Sequence, residues 1–436
     1  MPIDFALRQN AQAIEADIRA RRVLNLPVDW ANEVIYPVYD GLSIRNIPHS
    51  IAQILDAHFD DNTPLDNRVW GNESLKDIQR VVMFLSDGLG YHYLQELMAD
   101  DPELEDTVLE LTNGRGFVPL TSSAPSTTAV ALPTLWTGAS PATHGMLGTS
   151  MFLREKSTLT NMLFNSAAVD PRGNVLSDDD LHDFVPVKGF AQHLTANNIA
   201  THVILYRAYL GKGLLSAVMH RGVSYGYSHG GHSDVWVRLA DVLHDTAGQP
   251  SYVNIYLGAV DSLSHHYGAK NVYVHYEIKQ QLKHLLEVLS SEGVKDGQTL
   301  FIFTADHGHA DAPHKIDLQS TSAESIRRMM RLGLTGDMRL GQLHLQNGCV
   351  DDVIAEIHAN YGDRLTAISS AEALSAGLFG YDTIYSESKH RLGDVILIPR
   401  LGTQVVDSSL GVLDLESWHG GLSPDEMLVP FIFKRL

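Results

Sequence analysis

The sequence predicts an α/β protein with a mostly parallel central sheet, helices on both sides of it, and a smaller inserted cap. Three observations carry this expectation: short apolar, β-branched runs ending in turn residues, a helical stretch between two of them, and an aspartate placed just beyond three of the runs. Strands that are apolar at nearly every position, rather than at alternate ones, are buried on both faces, as in parallel sheets.

Strands are expected over 81–85, 201–205, 252–257, 299–304 and 394–398. Between the third and fourth, a helix is expected over 274–289, with Ile278, Leu282, Leu285 and Leu289 on one stripe and Ser290, Ser291 and Gly293 closing it. The three elements make a βαβ unit. Residues 1–77 read as a helical and irregular wrap, 78–310 and 394–436 as the core, and 311–393 as the cap, which carries Arg327, Arg328 and Arg331. The composition, 44% hydrophobic and 19% charged over 436 residues, is that of a globular chain able to bury a large core.

A net charge of -20 opposes bulk nucleic acid as a partner, because such binding depends on cationic side chains that release counterions. The chain has one cysteine, Cys349, and 22 histidines, which excludes a disulfide scaffold and leaves imidazole for metals or proton transfer. Asp4, Arg8, Glu15 and Asp17 interrupt the start of the chain, and no apolar stretch reaches the roughly 18 residues of a membrane span. A cytoplasmic location without membrane contact is expected.

The three aspartates are Asp87, Asp261 and Asp306, and ligands of open α/β sheets bind beyond the carboxyl ends of the strands. One such Asp is ordinarily a turn or cap residue. Here His265 lies four residues after Asp261, and His307 directly follows Asp306. Carboxylate oxygen and imidazole nitrogen together suit zinc. His419, followed by two glycines, adds a third imidazole, and three Asp with three His divide into two metal positions of three ligands each. A nucleophile is offered by Ser126, Thr127 and Thr128, ahead of a helical stretch containing Val130, Leu132, Leu135 and Trp136. Hydroxyls there are commonly caps, but the helix dipole and a nearby metal also favour an alkoxide. Pro133 is expected to kink or shorten that helix.

Taken together, PSTT and TGASPATHG, the Asp-x-x-x-His-x-x-Gly of Asp261, His265 and Gly268, ADHG at Asp306 and His307, and His419-Gly-Gly resemble the alkaline phosphatase superfamily, in its type I phosphodiesterase/nucleotide pyrophosphatase branch. The resemblance implies an alkaline-phosphatase-like core and two Zn2+ ions, with Mn2+ or another divalent metal as alternatives. It implies Thr128 as nucleophile, also touching the second ion. One ion would be held by Asp261, His265 and His419, the other by Asp87, Asp306 and His307. The expected partner is a small phosphate ester or nucleotide-like molecule, cleaved by in-line displacement through a phosphothreonine intermediate. An Asn that the family places after the nucleophile is replaced by Ala131, so Asn161 is the candidate phosphoryl-oxygen donor and Arg207 the candidate phosphate-binding cation.

Phosphomonoester and phosphonate hydrolysis are alternatives within the same superfamily. A rival is a serine esterase using Ser228, since Gly226-Tyr-Ser228-His-Gly230 fits the G-x-S-x-G elbow, although the residues before it read as a poor strand. A non-catalytic metal-binding protein is the remaining class. His144 is expected to be a structural turn residue, and His266 and His309 are expected in supporting or solvent-facing positions.

Overall fold

The expected strands form within a residue of their predicted bounds in the computed structural model, which describes residues 5–436 except 31, 61, 212, 214, 215, 218, 219, 292, 293, 412 and 413. One seven-stranded sheet contains β1 (Arg80–Ser86), β2 (Val118–Thr121), β3 (Ala200–Tyr206), β4 (Tyr225–His229), β5 (Ser251–Leu257), β6 (Thr299–Thr304) and β7 (Leu428–Arg435). Its order is β2-β7-β6-β1-β5-β3-β4. Strands β6, β1, β5, β3 and β4 are parallel neighbours, and β7 runs against both β6 and β2. Six of the seven strands therefore end on one side of the sheet. Every residue of β1 and β6 is buried, as their apolar runs require.

Helices cover both faces. The register pairs Val81 with Tyr252, so Tyr252 and Phe84, three residues beyond Val81, point to opposite faces. On one face, Phe190 of α2 (Phe190–Ala196) and Trp136 of α1 (Thr128–Thr137) meet Tyr252, with ring centroids at 5.2 and 6.0 Å. On the other, Trp236 of α3 (His232–Asp245) stacks on Phe84 at 5.8 Å. Between β5 and β6 lie two helices, α4 (Ala259–Tyr267) and α5 (Val272–Leu289), the second starting two residues before its expected bound. The α1 helix runs through Pro133 and ends on left-handed Gly138, so the expected shortening does not occur. No described helix is long and apolar enough to cross a membrane.

A second seven-stranded sheet is antiparallel throughout. It combines Ser150–Leu153, Thr158–Asn161 and Ser166–Ala167 with Thr335–Asp337, Leu340–Leu343, Leu365–Ser369 and Val395–Pro399. The run expected at 394–398 therefore lies in this sheet and not in the parallel one. Leu343, Val353, Ile357, Leu397 and Val405 belong to a separate hydrophobic core beneath it. Arg339, in the turn before Leu340–Leu343, reaches Glu426 ahead of β7, with Nε–Oε1 at 3.0 Å and Nη2–Oε2 at 2.7 Å. Both side chains are almost fully buried.

The helix Phe5–Ala20 buries Ile14 and Ile18 in the main core, and Glu15 on it lies 3.0 Å from His92, whose other ring nitrogen is 3.4 Å from Asp425. Burial disfavours the imidazolium, but hydrogen bonds to Asp425 and Glu15 and their charges outweigh it and push the His92 pKa up to about 9. A raised folded-state pKa gives stability that is whole below about pH 6.5 and is lost as pH climbs through 9. We expect His92→Gln to remove on the order of 2 kcal/mol at neutral pH and to flatten the decline of stability between these limits. Denaturant titrations of both proteins across this range check it.

Candidate metal centre

The three strand-end aspartates converge because their strands are adjacent and in register: Ser86 pairs with Leu257, and Leu85 with Thr304. Asp87 directly follows β1, Asp306 stands two residues beyond β6, and Asp261 lies in the first turn of α4 after β5. The Asp261 amide donates to the Asp87 carbonyl at 3.0 Å. Close approach needs glycine here. A Cβ on Gly88, at φ +80°, would stand 2.9 Å from Asp261 Cα, and one on Gly308 would overlap the Asp425 carbonyl oxygen.

Asp87, Asp306 and His307 form one buried group whose donor atoms lie within 4.8 Å of one another. His307 Nδ1 donates to the Gly308 carbonyl at 3.1 Å, which leaves Nε2 to face the cluster. That nitrogen accepts from Thr128 Oγ1 at 3.0 Å and lies 3.4 Å from Asp87 Oδ1 and 3.6 Å from Asp306 Oδ2. Asp306 Oδ1 accepts from the amides of Gly88 and His307, and Asp87 Oδ2 accepts from the Tyr256 hydroxyl. Asp87 Oδ1 and Asp306 Oδ2 are buried without a hydrogen-bond partner among the described residues, a costly state that a cation would relieve.

The second group is Asp261, His265, His309 and His419. Its centre is Asp261 Oδ1, which lies 2.9 Å from His309 Nε2, 3.3 Å from His265 Nε2 and 3.5 Å from His419 Nε2. Ala310–Asp311 pairs antiparallel with Ser417–Trp418, and this short ladder sets His309 beside His419. The groups adjoin, since the rings of His307 and His419 stack with centroids 3.8 Å apart. Buried and partly buried carboxylates and imidazoles without a thiolate fit a divalent ion such as zinc.

Burial raises the Asp87 carboxyl well above its ordinary pKa, helped by the charges of Asp306 and Asp261. Burial likewise lifts Asp306 to about 7, helped by the charge of Asp261 and opposed by the hydrogen bond from the Gly88 amide. Burial acts upward on Asp261 too, but the His309 hydrogen bond and the surrounding imidazoles hold it below the carboxylate range. Burial keeps His309 down at about 4 and His419 well below its usual value, so both are neutral near pH 7, the form that ligates metals.

Of the expected site residues, Asp87, Thr128, Asp261, His265, Asp306, His307 and His419 are brought together. Asn161 is not: its Oδ1 accepts from the amides of Leu163 and Phe164, closing a local turn. Arg207 is exposed in the turn after β3, where its amide donates to the His229 carbonyl. Ser228 lies exposed inside β4 rather than beyond its end, so a strand does form there but no nucleophile elbow. His144, expected in a turn, is the buried last residue of a short helix (Pro141–His144), where it accepts from the Met146 amide and bonds Thr134. His266 is exposed and bonded to Ser262, while His309, expected in a supporting or solvent-facing position, stands inside the second group. Its signal is its place two residues after His307 in a His-Gly-His run.

The hydroxyl of Thr127 lies 3.0 Å from that of Thr149, whose amide donates to Asp337 Oδ2 at 3.2 Å. Burial pushes the Asp337 carboxyl up to about 6. Tyr256, Thr149 and Asp337 were not foreseen, because each acts across strands or sheets distant in sequence.

The sequence matches the type I phosphodiesterase/nucleotide pyrophosphatase family over residues 81–422. No curated protein matches the chain. Among solved structures, murine ectonucleotide pyrophosphatase/phosphodiesterase 5, an inactive threonine-to-alanine variant in complex with AMP, is similar with TM-score 0.59 and 16% identity, over 81% of this chain and 87% of that one. The human protein of the same name gives 0.60 and 15% over the same shares. Phosphonoacetate hydrolase from Sinorhizobium meliloti, in complex with phosphonoformate, gives 0.58 and 18% over 82% of this chain and 90% of that one. At these identities the likeness is one of fold.

Proposed function

Since the chain belongs to the type I phosphodiesterase/nucleotide pyrophosphatase family, whose members are metal-dependent phosphoryl-transfer hydrolases, we propose that it hydrolyses a small phosphodiester or pyrophosphate by attack of Thr128. The observation that carries this reading is the 3.0 Å contact of Thr128 Oγ1 with His307 Nε2, at the edge of a buried Asp/His cluster and at a helix N-terminus. Two divalent ions, zinc in the first instance, would be held by the two groups and would supply the positive charge that favours the Thr128 alkoxide and neutralises the phosphoryl oxygens.

The chain's own residues then do the following. The closeness of Thr128 Oγ1 to His307 Nε2 sets the hydroxyl oxygen beside the position at which Asp87, Asp306 and His307 would hold an ion, and the first turn of α1 adds its dipole. Thr128 Oγ1, its proton lost to solvent, attacks phosphorus in line as the bond to the leaving oxygen on the opposite side breaks, giving a phosphothreonine ester; water entering where the leaving group departed then breaks the bond to Thr128, releasing the phosphate product and restoring the hydroxyl. Asn161 is turned away, and the hydroxyl of Thr127, the residue before Thr128, is bonded to that of Thr149. Arg207 faces solvent, Arg328 pairs with Glu324 and Arg331 with Asp394, so none of these three is committed to a phosphate, which favours the singly charged diester over the doubly charged monoester. The AMP held by the murine structure supports a nucleotide-like substrate, and the phosphonoformate held by the bacterial one supports phosphonate hydrolysis as the second reading.

On zinc-loaded protein, bis-p-nitrophenyl phosphate is expected to turn over at least tenfold faster than p-nitrophenyl phosphate. EDTA should abolish the activity, zinc should restore it, and a fluorophosphonate should leave it unchanged. Activity that survives chelation would overturn the proposal; a preference for the monoester would overturn the diester assignment.

A further inference from the structure

We infer that Asp337 is a specificity-determining residue: its carboxylate, lodged between Thr149 and the loop that carries His419, disfavours doubly charged phosphate groups at Thr128 and so selects singly charged diesters. The inference deepens the proposed function and rests on its premise that Thr128 attacks a phosphate ester.

Placement comes first. Asp337 ends the short strand Thr335–Asp337 of the second sheet, in which Gly336 pairs with Ser150. That pairing lays the strand along the segment containing Thr149, and Asp337 Oδ2 accepts from the Thr149 amide at 3.2 Å. The Thr149 hydroxyl lies 3.0 Å from that of Thr127, the residue before Thr128. On its other side Asp337 packs against Gly420, which directly follows His419. A Cβ there, at φ +107°, would stand 2.7 Å from Asp337 Cβ. The ring of His307, whose Nε2 touches Thr128, is near enough to act on the Asp337 charge.

Charge decides what a carboxylate in this place does. Asp337 is only partly buried. The groups that hold it are an amide, two hydroxyls and an imidazole, none of them a permanent cation. Arg339, two residues on, is committed to Glu426. Asp87, Asp261, Asp306 and a Thr128 alkoxide would carry four negative charges against the four positive ones of two divalent ions, so Asp337 adds a negative charge that nothing balances. A monoester dianion brings one more negative charge to Thr128 than a diester does. Beside an unbalanced carboxylate that extra charge is repelled, and weak hydration at a partly buried site strengthens the repulsion. Specificity built on repelling the wrong ligand is as effective as specificity built on attracting the right one.

The test compares kcat/KM for p-nitrophenyl phosphate and bis-p-nitrophenyl phosphate at pH 8 on the zinc-loaded full chain. Asp337→Asn keeps a carbonyl oxygen for the Thr149 amide and removes the charge. It is expected to raise the monoester-to-diester ratio by about tenfold or more, through a lower KM for the monoester, with zinc content unchanged. Asp337→Ser should do the same. Thr149→Val disturbs the same contact but leaves the carboxylate, so its ratio should stay within roughly threefold of the wild type. A purely structural role lowers both activities together. A ratio unmoved in either Asp337 variant, or an equal rise in Thr149→Val, therefore overturns the inference and leaves the proposed function standing. The wild type supplies a check that needs no variant: phenyl phosphate should compete with the diester about tenfold more weakly than singly charged methyl phenyl phosphate does. Equal or stronger competition by the dianion overturns the inference as well. Diester turnover that persists in EDTA overturns the proposed function itself.

Discussion

Thr128→Ala is expected to lower turnover by about 10⁴-fold or more while zinc content and folding stay as in the wild type. Thr128 is the first residue of α1, after Thr127, and its hydroxyl has one protein partner, His307 Nε2. Loss of a nucleophile removes the covalent route, and the remaining electrostatic assistance to water leaves only a small residual rate. The structural cost is small. Thr128 does not cap its helix, and its side chain makes no bond that supports the fold, so a stability change of under about 1 kcal/mol is expected. Thr128→Ser keeps the hydroxyl and should retain measurable turnover. Steady-state kinetics, metal analysis and thermal melts of the two variants separate loss of chemistry from loss of structure.

Arg339→Ala is expected to have the largest effect on stability, about 3–5 kcal/mol. The guanidinium is buried against Glu426, donates to both carboxylate oxygens, and also bonds the carbonyls of Arg400 and Thr403. Glu426 in turn accepts from the Gly421 amide at 2.9 Å and from Ser423 Oγ at 2.6 Å. The pair thereby ties the second sheet to the loop that carries His419. Removing Arg339 strands a buried carboxylate with two neutral donors, and that uncompensated charge is the source of the loss. Replacing both partners by apolar residues of similar volume should cost much less, because no charge is left behind. Urea denaturation of the single and double variants measures both quantities.

Much of the parallel sheet and of the cluster is legible in the sequence, and the reason is local. Strands such as Thr299–Thr304 are apolar at all four inner positions, and Asp87, Asp306 and Asp261 stand one, two and four residues beyond their strands, so one sheet edge gathers them whatever the connections do. Features that depend on distant pairing are not legible. His309 joins the cluster only because Ala310 pairs with Trp418, a contact between segments far apart in sequence. The second sheet is assembled from pieces as short as Ser166–Ala167, too brief for an alternating pattern, and joins residues 150–167 to 335–399. Strand β4 contains Gly226 and two tyrosines and is largely exposed, the pattern of an edge strand rather than of the buried runs. Asn161 misled because an Asn that closes its own turn has the same sequence appearance as one aimed into a site.

The central claim is that phosphorus is transferred to Thr128, and the most direct measurement is to trap the bond. Zinc-loaded protein is mixed with bis-p-nitrophenyl phosphate, quenched in acid during turnover, digested and mapped by mass spectrometry. The account predicts a phosphoryl adduct confined to the peptide containing Thr128, absent from Thr128→Ala and from protein stripped of metal. Undiminished turnover by Thr128→Ala, or an adduct seated on another residue, contradicts it.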